Sequence, residues 1–262
     1  MSDWLLGLPV VWMGVVILVV IYAFTAVLYL AITALAVGER GRAFKAISPG
    51  VLPPLAIIFA LLVGFLAAQV WSDFDRANTA VNREASALRG VILLAAAFPR
   101  EPDTRLRDLV RRHIQDAVTQ EWPAMSRRNA TLTLAPPRLS EALQLALSLS
   151  PHGEGQVAAQ REIVESLMNA LDARRQRIIL SASSINWVKW TVLLTQAGLT
   201  LLVVGLVHSD NRVANRIIMT VFATGIAVAV VLIASHSRPF GGEISVRPTV
   251  LLQVMPEATA PP

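Results

Sequence analysis

The stretch that decides the fold is Val51–Trp71, VLPPLAIIFALLVGFLAAQVW, which continues without a break into the charged sequence SDFDR at Ser72–Arg76. The apolar stretch contains no acidic or basic residue, and about 20 consecutive apolar residues cross the hydrocarbon core of a bilayer. Pro53 and Pro54 near its start fit only the first turn of a helix. The stretch therefore predicts a membrane-spanning helix that begins near Val51.

Three other apolar blocks have the length of a span: about Pro9–Val37, Val188–Val207 and Ile217–Ser235. Apart from Lys189 at the start of the third span, they contain no acidic or basic residue. The first block is about twice as long as the apolar region of a signal peptide, and no Lys or Arg precedes it, so a retained anchor is predicted. Four spans place both ends of the chain on one side of the membrane, together with the long segment between spans two and three.

The composition excludes several classes of protein. Charged residues make up 16% of the chain, whereas about 25% is usual in soluble domains. The absence of cysteine excludes disulfide frameworks, zinc ribbons, iron–sulfur sites and thiol catalysis. The central segment, residues 72–187, holds 15 of the 23 basic and 13 of the 18 acidic residues. An integral membrane protein with one solvated insertion is therefore predicted.

The central segment has a helical pattern throughout. Gly64 is the only Pro or Gly residue between Leu55 and Arg89. The second span is therefore expected to continue to about Ala97 as one helix of more than 40 residues. Asp103–Thr104 is expected to cap the next helix, and the last helix, Glu154–Ile185, is expected to run directly into the third span. In the helix after Asp103–Thr104, residues that recur every three or four positions form one largely apolar stripe: Leu106, Leu109, Val110, His113, Ile114, Ala117 and Val118.

No residue pattern points to catalysis or to a cofactor. No two histidines lie at i, i+4 on one helix, and His113 is interpreted as a packed or solvated helix residue. Asp73 and Asp75 are two positions apart and point to different sides of a helix. Arginine pairs such as Arg174–Arg175 alternate with acidic residues, which is typical of solvated helix faces rather than of a nucleic-acid-binding stripe. We therefore expect no enzyme activity, cofactor, metal site or nucleic-acid partner.

The spans favour passive over active transport. Pumps and ion-coupled transporters usually place an ionisable residue at bilayer depth, and the interiors of these spans contain none. A pore with an apolar constriction remains compatible with the sequence. The two short loops hold five basic residues, and the segments that flank the spans on the other side hold eight. Because positive loops stay inside, the count slightly favours a cytoplasmic central segment.

Motifs around the second and fourth spans resemble those of bestrophin channels. Leu62–Phe65 followed by Trp71–Ala77 is similar to the second bestrophin helix, in which an apolar Leu-Gly-Phe stretch leads into a charged extension that contains Trp. Arg238–Gly241 is similar to the Pro-Phe-Gly turn after the last bestrophin span. The bacterial bestrophin-like domain family, a family of unknown function, resembles the chain more closely, over about residues 10–252. The stretches shared with it are Ser48–Gly50, Asn82–Ala85, Glu121–Pro123 and Pro239–Gly242.

The resemblance implies an all-α fold: four transmembrane helices with a helical cytoplasmic bundle inserted between spans two and three. It also implies a pentamer around a pore lined by the second helix. The neck positions would be Ile57, Leu61 and Phe65, whose i, i+4, i+8 spacing places them on one helix face. Charges at the two mouths of the pore would then select the ion. They are Asp73, Asp75 and Arg76 on the cytoplasmic side and Arg40, Arg42 and Lys45 on the outer side. The excess of arginine slightly favours anions.

The resemblance also bears on partners and location. In bestrophins a cluster of acidic residues after the Pro-Phe-Gly turn helps to hold calcium, but only Glu243 follows that turn here, so calcium gating is not expected. The implied location is the inner membrane of a bacterium, with cytoplasmic chain ends. The expected partners are lipid, further copies of the chain and permeant inorganic ions.

One alternative stays open, a non-conducting membrane scaffold or sensor whose central helical segment binds a partner. On either interpretation the expected domains are residues 1–71 with the first two spans, 72–187 with the cytoplasmic helices, 188–236 with the last two spans, and a tail at 237–262.

Overall fold

The structure, a computed structural model, describes residues 3–36, 44, 49–132 and 136–257. Within these residues the regular elements are helices, and the fold is all-α as predicted. The helices are α1 (Asp3–Leu6), α2 (Val10–Leu35), α3 (Leu52–Ala95), α4 (Arg100–Asp116), α5 (Trp122–Ser126), α6 (Pro137–Ser148), α7 (Glu154–Ser181), α8 (Trp187–Val207), α9 (Arg212–Ser235) and α10 (Thr249–Gln253). A 3₁₀ turn, Pro49–Val51, precedes α3, and a π-helical segment, Ala117–Glu121, joins α4 to α5.

Four of these helices, α2, α3, α8 and α9, are long and apolar enough to cross a membrane. The chain divides into two compact units. We call residues 1–72, 184–238 and 242–244 the membrane unit. We call residues 73–183, 239–241 and 245–262 the insert unit.

Helix α3 is the long helix that the sequence predicts. Its 44 residues, Leu52–Ala95, correspond to about 66 Å at 1.5 Å per residue, which is more than twice the ~30 Å hydrocarbon core of a bilayer. The helix continues through Trp71 because no Pro or Gly residue lies between Gly64 and Gly90. It ends before Phe98–Pro99, since a proline disfavours helical geometry in the residue before it.

In the membrane unit, the core consists of apolar side chains from all four long helices, including Met13, Leu66, Leu193 and Ala227. Helices α2 and α9 also share a hydrogen bond between the Tyr22 and Thr224 hydroxyl groups, 2.7 Å apart. A second polar contact joins α8 to α3, where Lys189 Nζ donates to Gln69 Oε1 at 2.6 Å. The cation at the start of the third span therefore has a partner.

In the insert unit, the core is formed by the apolar stripes of α3, α4, α6 and α7. Leu88, Ile114, Leu139 and Ile163 are fully buried in it. The stripe predicted for α4 is confirmed, because its residues from Leu106 to Ala117 are buried. Each stripe recurs at helical spacing, so the unit buries one face of each helix.

The prediction of a continuous helix from Glu154 into the third span is wrong. Helix α7 ends at Ser181 and α8 begins at Trp187. The side chain of Asn186 accepts a hydrogen bond from the backbone N–H of Lys189 at 2.9 Å, which satisfies one of the free donors at the start of α8. Ser183 and Ser184 lie in the break, and serine competes with the helix for backbone hydrogen bonds.

The cap predicted at Asp103–Thr104 is also wrong, since α4 begins one turn earlier, at Arg100 after Pro99. Thr104 Oγ1 instead donates to the carbonyl oxygen of Arg100 at 2.9 Å, as threonine does inside a helix. Glu101 and Asp103 lie in the first turn, where acidic side chains interact favourably with the helix dipole.

Replacing Asn186 with alanine is expected to reduce the free energy of unfolding by about 1 kcal/mol, because the N-cap acceptor of α8 is lost. Denaturant titration of the purified protein measures this loss. Asn186→Ser is the matched control, since serine also accepts at an N-cap. An equal loss in both variants would contradict the capping role.

Candidate functional site

The neck residues predicted on α3 lie on a face that the described residues leave exposed. Ile57, Leu61 and Phe65 are 58%, 55% and 71% exposed. Phe59 and Val63 on the other side of the helix pack against the core of the membrane unit. The i, i+4, i+8 spacing therefore gives an apolar ridge about 12 Å long at 1.5 Å per residue.

The predicted mouth residues lie on the same helix, in the insert unit. Asp75 and Arg76 are exposed, and Asp73 is half-buried. Arg83 is exposed two turns beyond Arg76, on the same helix face. The outer-mouth residues Arg40, Arg42 and Lys45 lie outside the described residues.

A buried cluster of charges forms the centre of the insert unit. The Glu84 side chain, which is fully buried, accepts hydrogen bonds from Arg177 Nε at 2.8 Å and Arg177 Nη2 at 3.1 Å. His113 Nε2 lies 2.9 Å from Glu84 Oε1. Arg177 Nη2 also donates to Glu121 Oε2 at 2.8 Å, and Arg174 holds the other oxygen of Glu121 at 2.6 Å.

This charge cluster corrects one interpretation of the sequence and confirms another. Arg174 is buried and paired with Glu121, so it does not belong to a solvated helix face. His113 is packed rather than solvated, with 3% of its surface exposed. Buried charges are tolerated only where partners satisfy them, and here each carboxylate has at least two.

The electrostatics of the cluster favour the ionised form of Glu84. Burial alone raises the pKa of a carboxyl group, but the positive charge of Arg177 and the hydrogen bond from His113 outweigh it. The pKa of Glu84 falls from 4.5 to about 2 as a result. The pKa of Arg177 is raised, because the effect of Glu84 and Glu121 exceeds the effect of burial.

Acid is therefore expected to destabilise the insert unit. A carboxyl group whose pKa is lower in the folded state contributes stability above its unfolded pKa, and this stability disappears as the pH falls toward the folded pKa. For Glu84 the window runs from 4.5 down to about 2, and the loss amounts to about 3 kcal/mol. Denaturant titrations across this range measure it. Glu84→Gln should flatten the pH dependence, whereas Glu101→Gln at an exposed site should leave it unchanged; equal profiles would contradict the assignment.

Trp122 connects the charge cluster to the segment that follows the fourth span. The guanidinium carbon of Arg177 lies 4.7 Å from the centre of the Trp122 ring, a cation–π distance. Trp122 Nε1 donates to the carbonyl oxygen of Val246 at 3.1 Å. Phe240 packs edge-on against the same ring, with centroids 5.8 Å apart. Glu121–Trp122–Pro123 and the Pro-Phe-Gly turn, far apart in sequence, are therefore neighbours in the insert unit.

Glu243 has a structural partner in the membrane unit. Its Oε2 accepts a hydrogen bond from the backbone N–H of Val10 at 2.8 Å, at the positive end of α2. Gly242 before it has φ +84°, and a Cβ there would lie 3.4 Å from the carbonyl oxygen of Leu6. Glycine is required at this position because other residues rarely adopt such a φ.

Sequence reasoning missed the charge cluster, although a signal for it was present. Glu84 lies on the apolar stripe of α3, in register with Val81, Leu88 and Val91. Acidic residues are rarely buried without a partner, so a carboxylate within an apolar stripe predicts a buried cation nearby. The pattern does not reveal which cation, because Arg177 is 93 residues away in the chain.

Comparison with known proteins identifies the family to which this chain belongs. The Bestrophin-like domain matches residues 19–251, which is most of the chain. The chain belongs to the bestrophin-like family. No curated protein is a significant match to its sequence.

Solved structures agree with the family and with the fold. A crystal structure of a bacterial bestrophin homologue from Klebsiella pneumoniae, a single-residue variant, superposes with a TM-score of 0.70 at 12% identity, over 92% of this chain and 97% of that chain. The structure of the Klebsiella pneumoniae homologue obtained by zinc phasing gives a TM-score of 0.68 at 12% identity, over 92% and 95%. This bestrophin-like chain therefore has the bestrophin fold, as its motifs predicted. Its four long apolar helices are those of a membrane protein.

Proposed function

We propose that the chain assembles into a homo-oligomeric ring, most simply a pentamer, in which α3 surrounds a central pore for passive ion flux. The observation that carries the proposal is the uncovered apolar ridge of Ile57, Leu61 and Phe65. Around a symmetry axis these residues form three stacked apolar rings. A narrow apolar constriction offers water no hydrogen bonds and gates by dewetting.

The same helix supports a polar vestibule beyond the neck. Between Trp71 and Arg89 the exposed positions of α3 change from apolar to mainly charged and polar, as at Asp75, Arg76 and Arg83. Such a change suits a helix that lines a pore and then extends into water. Because apolar rings carry no charge, ion choice belongs to the charges at the two mouths of the pore. The basic residues there outnumber the acidic ones, which favours anions slightly: Asp73, Asp75 and Arg76 on the cytoplasmic side and Arg40, Arg42 and Lys45 on the outer side.

The proposed topology places the insert unit and both chain ends in the cytoplasm of a bacterium, with the four spans in the inner membrane. The support is the excess of basic residues around the insert unit, eight against five in the short loops. Positively charged flanks are retained on the cytoplasmic side.

Planar-bilayer recording of the purified protein tests the proposal. We expect single-channel currents whose reversal potential, in a salt gradient, lies toward the equilibrium potential of the anion. The chain contains no cysteine, so a charged thiol reagent acts only at an introduced site. It should reduce the current of Leu61→Cys and leave that of Val63→Cys unchanged. An oligomeric preparation that stays silent in varied salt, pH and voltage would favour a non-conducting scaffold instead.

A further inference from the structure

A cavity of about 510 Å³ lies in the insert unit, within the range of small-molecule sites. Its walls come from α4, the π-helical segment, α5, α6 and α7, together with the loop after α5. Polar side chains in these walls include His113, Asp116, Gln120, Glu121, Arg138 and Arg174.

The cavity has an unusual backbone on one side. Gln120 and Glu121 belong to the π-helical segment, and π-helical turns inside α-helices occur frequently at functional sites. Arg128, just before lining residue Asn129, has φ +61°. A non-glycine residue in this conformation costs free energy, so the surrounding structure must hold it there.

Two of the lining charges are tightly paired and two are not. Arg174, of which 9% is exposed, holds Glu121 at 2.6 Å. Across the cavity, Arg138 Nε lies 3.6 Å from Asp116 Oδ2, which is beyond hydrogen-bond distance. The other contacts of this second pair are also long: 3.4 Å from Gln120 Nε2 to Asp116 Oδ1 and 3.9 Å from Arg138 Nη1 to Glu141.

Arg138 Nε is itself buried, although 36% of the side chain is exposed, and no described residue offers it an acceptor at hydrogen-bond distance. A buried donor without an acceptor is rare in folded proteins, and an unseen ligand or water is an ordinary explanation. Asp116 faces it with a side chain that is 38% exposed, and its contacts with Gln120 and Arg138 are long, at 3.4 and 3.6 Å. The pair is thus spaced to receive an anionic group on one side and a cationic group on the other.

We propose that this cavity binds a small zwitterion, a free α-amino acid, with its carboxylate on Arg138 and its ammonium group on Asp116. The lining carboxylates of Asp116 and Glu121 and the lining guanidinium groups of Arg138 and Arg174 have a net charge of zero. A ligand without net charge therefore leaves no charge unpaired. The proposal does not depend on ion conduction.

Thermal unfolding of the purified full-length protein, with each free α-amino acid at millimolar concentration, tests this site. At least one amino acid should raise the unfolding midpoint by roughly 5 °C, as expected for a ligand well above its dissociation constant. Its N-acetyl derivative, which lacks the ammonium group, and its amide, which lacks the carboxylate, should give no shift. This comparison uses the unaltered protein, so it does not depend on the folding of any variant.

Two variants locate the site. Asp116→Asn and Arg138→Gln should each abolish the shift, whereas Glu141→Gln, which removes an acidic neighbour of Arg138 outside the cavity lining, should retain it. Absence of a shift with every amino acid would overturn the proposal. So would equal shifts from the derivatives, or a shift that persists in Arg138→Gln.

Discussion

Replacing Leu61 with alanine is expected to raise the single-channel conductance about tenfold, which corresponds to a barrier lower by about 1.4 kcal/mol. Leu61 is the middle of the three residues on the uncovered ridge of α3. Shortening it widens the proposed constriction and allows water to remain there, so ions no longer cross a dry ring. Ile57→Ala and Phe65→Ala should act in the same direction. Planar-bilayer recording in symmetrical salt measures the change.

Phe59→Ala and Val63→Ala are the matched controls for the neck variants. Both positions are on α3 at the same depth, but they pack against the core of the membrane unit. They should lower stability through lost packing and leave the conductance of folded channels unchanged. If both sets of variants alter the current equally, or if the ridge variants leave it unchanged, the neck assignment is wrong.

Replacing Arg177 with methionine is expected to reduce the free energy of unfolding by about 3–5 kcal/mol. The substitution leaves the Glu84 carboxylate, which is fully buried, with His113 as its remaining side-chain partner. It also removes the cation from the face of Trp122. Chemical denaturation of the purified protein measures the loss.

Arg175→Met is the control, since Arg175 is an exposed neighbour on the same helix and should cost less than about 0.5 kcal/mol. Adding Glu84→Gln to Arg177→Met should recover part of the stability, because the buried charge is then absent. A loss for Arg177→Met no larger than that for Arg175→Met would show that the charge cluster does not stabilise the fold.

The sequence predicts those elements whose signals are local. The length of α3 follows from an uninterrupted run of helix-compatible residues across Trp71, and the four spans follow from length and apolarity. The break before α8 was missed because Ser183, Ser184 and Asn186 are weak signals compared with Pro or Gly. The capping by Asn186 becomes evident only with its hydrogen bond.

The neck residues and the charge cluster also differ in how far local sequence patterns predict them. Ile57, Leu61 and Phe65 share a face by spacing alone, so their common exposure follows from the helix itself. The charge cluster brings together three α-helices and the π-helical segment, and the partners Glu84 and Arg177 are 93 residues apart. Periodicity shows that each residue faces inward, but only tertiary packing decides which charges meet.

The most direct test of the account is electron cryomicroscopy of the purified assembly in lipid nanodiscs. We expect a closed ring in which Ile57, Leu61 and Phe65 of every copy face the central axis, with Phe59 and Val63 turned away from it. A monomer or dimer, or a ring whose axis is lined by a helix other than α3, would contradict the account.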